Sequence, residues 1–375
     1  MAKNPVLPLF MRSLGTPMST VGFIAAASTV VGILVSFPAG ILSDRIGRRR
    51  VIMIAAIIFA TAPFLYLLVS SPCQLVFVRI YHGLATAILG PVAMAAIADT
   101  VDIKRGERMA WYSSATMIGR FLAPLAGGAL IFSSDYHWVY LADGFVGILA
   151  LLAAIMLSRS NTNTLPVKKM TEDNNSKIGS SIMVILRNHT ILATSGVEAV
   201  QYFAFGCLET FLPIYLNEEM GLATFEIGLL FTVQILAATV TKPVMGRLSD
   251  RYGRIPMITI GLILSGATMM AMIYSKNYTA MITLVGIFGL GLATVTASTA
   301  ALVADSAQLH NRGSAMGIQS SIMDIGHSTG PMAAGLLIGT YSYSITFVVI
   351  GCGLILIGLI FGTFINRKSA HVKET

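Results

Sequence analysis

The sequence predicts an all-α membrane protein made of two related helix bundles, with about eleven transmembrane spans. Three observations predict it. Apolar residues come in long runs, charges collect in the short segments between those runs, and the second half of the chain repeats the first.

Apolar residues fill 55% of the 375 positions and charged residues only 11%, against roughly 25% charged in soluble domains. Such a chain cannot clothe a soluble surface of this size. Crossing a hydrocarbon core about 30 Å thick takes about 20 apolar residues in a helix, and segments such as 51–70 and 345–364 reach that length. In lipid only helices or closed barrels satisfy every backbone polar group, and unbroken apolar runs without period-2 alternation select helices.

With breaks at charge and proline clusters, the spans read in order as 17–39, 50–70, 74–97, 109–133 and 137–158, then 190–216, 223–245, 256–275, 278–304, 313–340 and 342–365. The cluster Arg45, Arg48, Arg49 and Arg50 separates the first two, and Lys104, Arg105 and Arg108 separate the third from the fourth. Arg247, Arg251 and Arg254 lie between the seventh and eighth. A stretch from Arg159 to Arg187, rich in Ser, Asn, Thr and Lys, follows the fifth span. The expected organisation is therefore an N-terminal bundle over 1–158, a cytoplasmic linker over 159–188 and a C-terminal bundle over 189–375.

The net charge of +8 is a topology signal, because all these basic segments fall on one side once the spans are counted. The bilayer is the implied partner and nucleic acid is not. Cys73, Cys207 and Cys352 lie far apart in or near spans and fit no disulfide framework or metal spacing. Residues 1–16 carry Pro5, Pro8 and Arg12 where a signal peptide needs an uninterrupted apolar stretch.

The repeat is specific. Gly40-Ile-Leu-Ser-Asp-Arg-Ile-Gly-Arg48 returns as Gly246-Arg-Leu-Ser-Asp-Arg-Tyr-Gly-Arg254, a shift of 206 residues. Ala98-Asp99 meets Ala304-Asp305 at the same shift, and Leu7-Pro8-Leu9-Phe10 meets Leu212-Pro213-Ile214-Tyr215 one residue out of step. About 22 residues of helix precede Leu212, but only six residues precede Leu7. The expectation is that most of one span is absent, through truncation or a misplaced start, with a genuine eleven-span variant as the alternative. As written, the amino terminus would face outside.

The segment Gly40-x-x-x-Asp44-Arg45-x-Gly47-Arg48-Arg49, with its copy at Gly246, Asp250, Arg251, Gly253 and Arg254, resembles the signature loop of the major facilitator superfamily. In that family the loop is a cytoplasmic latch favouring the outward-open state. Gly40 is expected to let helices approach. Asp44 would accept hydrogen bonds at a neighbouring helix terminus, and Arg45 and Arg48 would pair with it or with lipid phosphates. Plain positive-inside topology is the competing explanation for the arginines. Arg79-x-x-His82-Gly83-Leu84-Ala85 resembles the arginine motif of proton-coupled members, with His82 where the family usually has Gln. Gly119-x-x-x-Ala123-Pro124-x-x-Gly127-Gly128 resembles the antiporter motif of the drug:proton branch, Ala123 replacing a glycine, and Gly330-Pro331 lie in its second-half copy. Asn4-Pro5-Val6-Leu7-Pro8 resembles the proline motif of twelve-span drug antiporters. The resemblance covers most of the chain and implies a major-facilitator-like two-bundle fold, a small-molecule substrate and a proton as partners, and a multi-pass place in the cell membrane.

Ionisable residues inside spans are costly and need a reason. Arg79 could snorkel or face a cavity, whereas Arg120 lies near mid-depth in its span, too deep to snorkel easily. Asp324 and His327, three apart, are expected on one helical face, as a protonation or substrate site or as a mutually satisfied pair. Glu198, with Gln201 and Tyr202 nearby, is a proton-carrier candidate. Glu209 returns to its face after 11 residues, but sits closer to the outer interface. Gln234 and Gln319 read as helix–helix contacts before cavity groups. No H-E-x-x-H, nucleophile elbow or phosphate-binding loop is present, so no enzyme activity, metal or cofactor is expected and an ATP-driven pump is improbable. The functional expectation is a secondary transporter exporting amphipathic small molecules against protons by alternating access. Its rivals are a uniporter or symporter of one metabolite, such as a sugar or organic anion, and a non-transporting truncated relative.

Overall fold

The computed structural model describes residues 6–100, 105–131, 136–160, 183–308 and 312–371. After a short helix α1 (Val6–Ser13) come eleven long ones: α2 (Met18–Ile46), α3 (Arg48–Tyr66), α4 (Pro72–Thr100), α5 (Arg105–Ala129), α6 (His137–Ser160), α7 (His189–Glu218), α8 (Thr224–Tyr252), α9 (Arg254–Tyr274), α10 (Tyr278–Ser306), α11 (Arg312–Thr340) and α12 (Tyr343–His371). Each expected span coincides with one long helix, so the all-α expectation holds. Among the described residues, nine of these helices are long and apolar enough to cross a membrane. The other two, α5 and α11, are those that carry Arg120, Asp324 and His327.

Helix ends are set by local chemistry. Asn188 caps α7, its Oδ1 accepting from the amides of Thr190 and Ile191 at 3.0 and 3.2 Å; Asn277 does the same for α10. The expected signature loop after residue 39 is instead the last turns of α2. The helix runs through Gly40, Asp44 and Arg45 and stops only at Gly47, whose φ of +95° is one that residues with a Cβ rarely adopt. Gly253 ends α8 in the same way, with the same φ. The motif is thus a helix end plus a hinge glycine, a distinction that apolar periodicity cannot draw.

Packing follows the repeat. In the first half α2 packs on α4, and α3 on α4 and α6; in the second half α8 packs on α10, and α9 on α10 and α12. The halves meet through α2 against α11 and α5 against α8, two contacts that the repeat exchanges. Large apolar side chains face outward around the molecule, with Leu34 68% and Phe77 67% exposed, which only a lipid surrounding makes economical.

The seam between the halves closes at one end only. A methyl group at Gly22 would collide with the Pro331 carbonyl, and one at Gly335 would stand 2.7 Å from the Met18 carbonyl. Likewise Gly128 abuts Thr224 and Phe225, and Gly228 abuts the Pro124 carbonyl. Further along the same four helices, Gly32, Gly40, Gly119, Gly246 and Gly317 have open space where a Cβ would stand. Asp44 and Asp250 are more than twenty residues beyond the contact glycines of α2 and α8, about 33 Å along a helix. Both signature motifs therefore share the open, basic end.

Candidate functional site

A cavity of about 440 Å³ lies between the halves below the closed seam. Its first-half wall includes Ser28 and Thr29 of α2, Phe59 of α3, and Arg79 and His82 of α4. Its second-half wall includes Glu209 of α7 and Asp324, His327 and Pro331 of α11.

Arg79 points inward, so it does not snorkel. Its Nε donates to the Ile24 carbonyl at 3.3 Å and its Nη2 to the Ala25 carbonyl at 2.5 Å. Gly83 one turn on makes this possible: a Cβ there would sit 2.9 Å from the Ser28 backbone, so only glycine lets α4 lie this close to α2. His82 is edge-on to Phe59 and Tyr66, with ring centroids 5.5 and 5.9 Å away, and Tyr66 stacks on Tyr140. An arginine and an imidazole thus stand on one wall, braced by backbone carbonyls and aromatic rings.

On the opposite wall His327 Nε2 lies 3.0 Å from Glu209 Oε2 and its ring stacks on Phe205. The partner expected from spacing was Asp324. It shares the face of α11, but the imidazole reaches across to α7, because Gly206, Gly326 and Gly330 bring the two backbones together at His327, Ala199 and Phe203. The Asp324 carboxylate faces the cavity without a hydrogen-bond partner among the described residues. Glu209, set aside in the sequence for its nearness to the outer interface, is therefore part of the wall.

Glu198 and Gln201 are not on the cavity wall. Glu198 is 6% exposed among α7, α10 and α11, where its Oε2 accepts from Thr299 Oγ1 at 3.0 Å and from Gln319 Nε2. Gln201 is fully buried, and neither of its amide atoms has a partner among the described residues. Arg120 is exposed on α5 and likewise absent from the wall. One helical sequence does not reveal which way such side chains rotate, and Glu198 lies on the interhelical side of α7.

Two further clusters mark the ends. At the seam end Arg12 Nε pairs with Glu218 Oε1 at 2.7 Å, joining the halves, and the Tyr343 hydroxyl donates to Glu218 Oε2 at 3.3 Å. This pair was not foreseen; its separation of 206 residues, equal to the signature repeat, was the available signal. At the basic end Arg254 meets Asp250 at 2.5 Å, Asp305 at 3.2 Å and Ser249 Oγ at 2.7 Å. Asp250 thus pairs within its own motif, with the side chain of the residue that opens the next helix, α9. In the first-half copy Arg48 Nη1 reaches Ser43 Oγ at 3.4 Å, while the side chain of Asp44 lies outside the described residues, as do Asn4 and Pro5. Of the antiporter motif, Pro124 and Gly128 form the α5–α8 contact, Gly127 is buried and Gly119 faces open space.

The chain is 24% identical to multidrug resistance protein 1 of Bacillus subtilis over 376 residues, covering 99% of this chain and 93% of that one. It is 21% identical to the quinolone resistance protein NorA of Staphylococcus aureus, with 99% and 93% covered. An uncharacterized MFS-type transporter of Methanocaldococcus jannaschii is 24% identical over 346 residues, with 89% and 86% covered. In fold it is similar to an inward-facing, unoccupied bacterial homologue of the human lysosomal transporter Spinster, with a TM-score of 0.81, 16% identity and 97% and 91% of the chains covered. It is also similar to the nucleoside transporter NupG, with a TM-score of 0.81, 13% identity and 96% and 94% covered. The family model of the Major Facilitator Superfamily matches residues 2–225 and 194–375. With two repeat-related bundles, a cavity between them and that match across its length, the chain belongs to the Major Facilitator Superfamily of multi-pass membrane transporters.

Proposed function

We propose that the protein exports amphipathic small molecules from the cell in exchange for protons, by alternating access. The observation that carries this reading is a cavity holding Asp324 and the Glu209–His327 pair opposite Arg79 and His82, closed at one end by the glycine seam. By the positive-inside rule the basic ends of α2 and α8 are cytoplasmic, which makes this form inward-facing. The two bacterial resistance proteins to which the chain is similar support a drug-like substrate class.

In this mechanism substrate enters from the cytoplasm or inner leaflet and settles against Phe59, His82 and the acidic wall. The halves then rock about the cavity, the basic ends approach, and the seam opens. Protons arriving from the outer side neutralise carboxylates, weaken their hold on the substrate and favour return to the inward-facing form. Asp324 meets the cavity directly, and Glu198, enclosed behind the wall, binds a proton without meeting the substrate. Arg79, held by two carbonyls of α2, fixes a positive field at the site whatever the protonation state.

The test is efflux from proteoliposomes driven by an imposed pH gradient, with a lipophilic dye as substrate. Asp324→Asn and Glu198→Gln are each expected to lower gradient-driven efflux at least about tenfold, the cost of roughly 1.4 kcal/mol of lost coupling. Full efflux in both variants would rule out these carboxylates as the coupling groups.

A further inference from the structure

Glu198 has a partner whose chemistry depends on the proton. Gln319 of α11 is 4% exposed, and its amide nitrogen donates to Glu198 Oε2. Its amide oxygen Oε1 is buried and has no hydrogen-bond partner among the described residues. Buried carbonyl oxygens left without a donor are uncommon, because each forfeits the hydrogen bond that water would have given it. Glu198 can supply that donor only conditionally. An ionised Glu198 can only accept, whereas the protonated acid carries an O–H.

We infer that Gln319 is the positioning residue that reads the protonation state of Glu198, its N–H holding the carboxylate and its Oε1 accepting from the acid. A carboxylic acid and a primary amide make a two-bond pair, with O–H donating to the amide oxygen and N–H to the acid carbonyl. The ionised form makes only the second bond. Binding a proton therefore adds one hydrogen bond between α7 and α11 and satisfies the one orphaned atom of the pair.

The bond is placed where it matters. Gly326 and Gly330 already press α11 onto the carbonyls of Ala199 and Phe203, so the two helices have little slack around Glu198. The same α11 carries Asp324 and His327 on the cavity wall and Pro331 and Gly335 in the seam against α2. A change in the α7–α11 tie at Glu198 thus reaches the cavity and, past Pro331, the seam along one continuous helix. Thr299 of α10 has a different role. Its hydroxyl also bonds the Val295 carbonyl of its own helix at 2.9 Å, and its contact with Oε2 is open to the ionised and the acid form alike. The charged group that acts on Glu198 is Lys242 of α8, and Tyr202, one turn along α7, feels Glu198 together with Arg120, Asp324 and Glu209.

The inference rests on Glu198 taking up a proton, and the experiment separates the two claims. Infrared difference spectra between acidic and alkaline pH are recorded on the reconstituted full chain and on Glu198→Gln, Gln319→Met and Thr299→Val. Wild type is expected to show an acid carbonyl band that Glu198→Gln removes. Gln319→Met should keep the band but move it to higher wavenumber, because the acid loses both amide bonds. The same variant should displace the pH midpoint of gradient-driven efflux by about one unit, the scale of one hydrogen bond to a charged group. Substrate counterflow without a pH gradient should stay within about twofold of wild type, which reports an intact fold. Thr299→Val should leave the band nearer its wild-type position than Gln319→Met does. If no band depends on Glu198, the proton-carrier reading fails. If the band depends on Glu198 but neither it nor the midpoint moves in Gln319→Met, the role of Gln319 is overturned and the carrier reading stands. Should Gln319→Met not reach the membrane, Gln319→Asn, one methylene short of Glu198, takes its place: a moved band and midpoint support the role of Gln319, and an unmoved pair overturns it.

Discussion

At the seam end, α2 and α11, and α5 and α8, touch so closely that Gly22, Gly128, Gly228 and Gly335 have no room for a methyl group. At the basic end, Gly40, Gly119, Gly246 and Gly317 on the same four helices face open space. The seam end is held by backbone contact and one ion pair across the halves, Arg12–Glu218. Among the described residues, Arg254 ties to Asp250 and Asp305 within the second half at the basic end, and Arg48 to Ser43 within the first. One end thus joins the halves while these ties at the other end brace each half by itself, and a transporter that rocks must loosen the first without breaking the second.

The largest effects are expected where the contrast is steepest. Gly22→Leu forces a side chain into the Pro331 backbone, and such overpacking costs about 1–3 kcal/mol, enough to displace the conformational balance about five- to 150-fold. Efflux should fall accordingly, and a cysteine at Ser28 on the cavity wall should become reactive to an impermeant thiol reagent from the outer side. Gly40→Leu should also stop transport, yet trap the opposite form, with Ser28→Cys reactive only from the cytoplasmic side. Equal reactivity from both sides in the two variants would break the comparison.

A smaller effect belongs to the ion pair. Arg12 and Glu218 side chains are each 33% exposed, so solvent screens them and the pair is worth at most about 1 kcal/mol. Glu218→Gln should favour the seam-open form about two- to fivefold at low salt and less at high salt, read from the same outside labelling. The smallest change is predicted for Arg254→Ala. Its partners Asp250 and Asp305 are more than half exposed, so loss of these ties should lower the thermal midpoint by only about 1–2 °C while leaving sidedness of labelling unchanged. A switch in sidedness would show that the basic cluster couples the halves after all.

Much of this architecture was readable in the residues. Span positions follow from apolar runs, and the pseudo-symmetric packing follows from the repeat, since a duplicated sequence makes duplicated helix contacts. Arg79 and His82, singled out by the arginine motif, and Asp324 and His327, singled out as charge inside a span, all stand on the cavity wall. What was not readable depends on helix rotation and on contacts across hundreds of residues. Glu198 turns toward Thr299 and Gln319, and His327 chooses Glu209 over its neighbour Asp324, because glycines on α7 and α11 set an approach that neither helix encodes alone. The signature segment read as a loop because its span was ended at a charge and proline cluster and the motif resembles a family loop, but in α2 no residue breaks the helix until Gly47.

Distances between paired spin labels test the central claim most directly. One pair is placed at Phe23 and Leu336 beside the seam, the other at Leu42 and Met316 toward the basic end, all four positions being exposed. On adding substrate under an inward-directed proton gradient, the first pair should move apart as the second draws together. Distances that stay fixed, or that lengthen at both ends together, would contradict an exchange of closure between the seam and the basic ends.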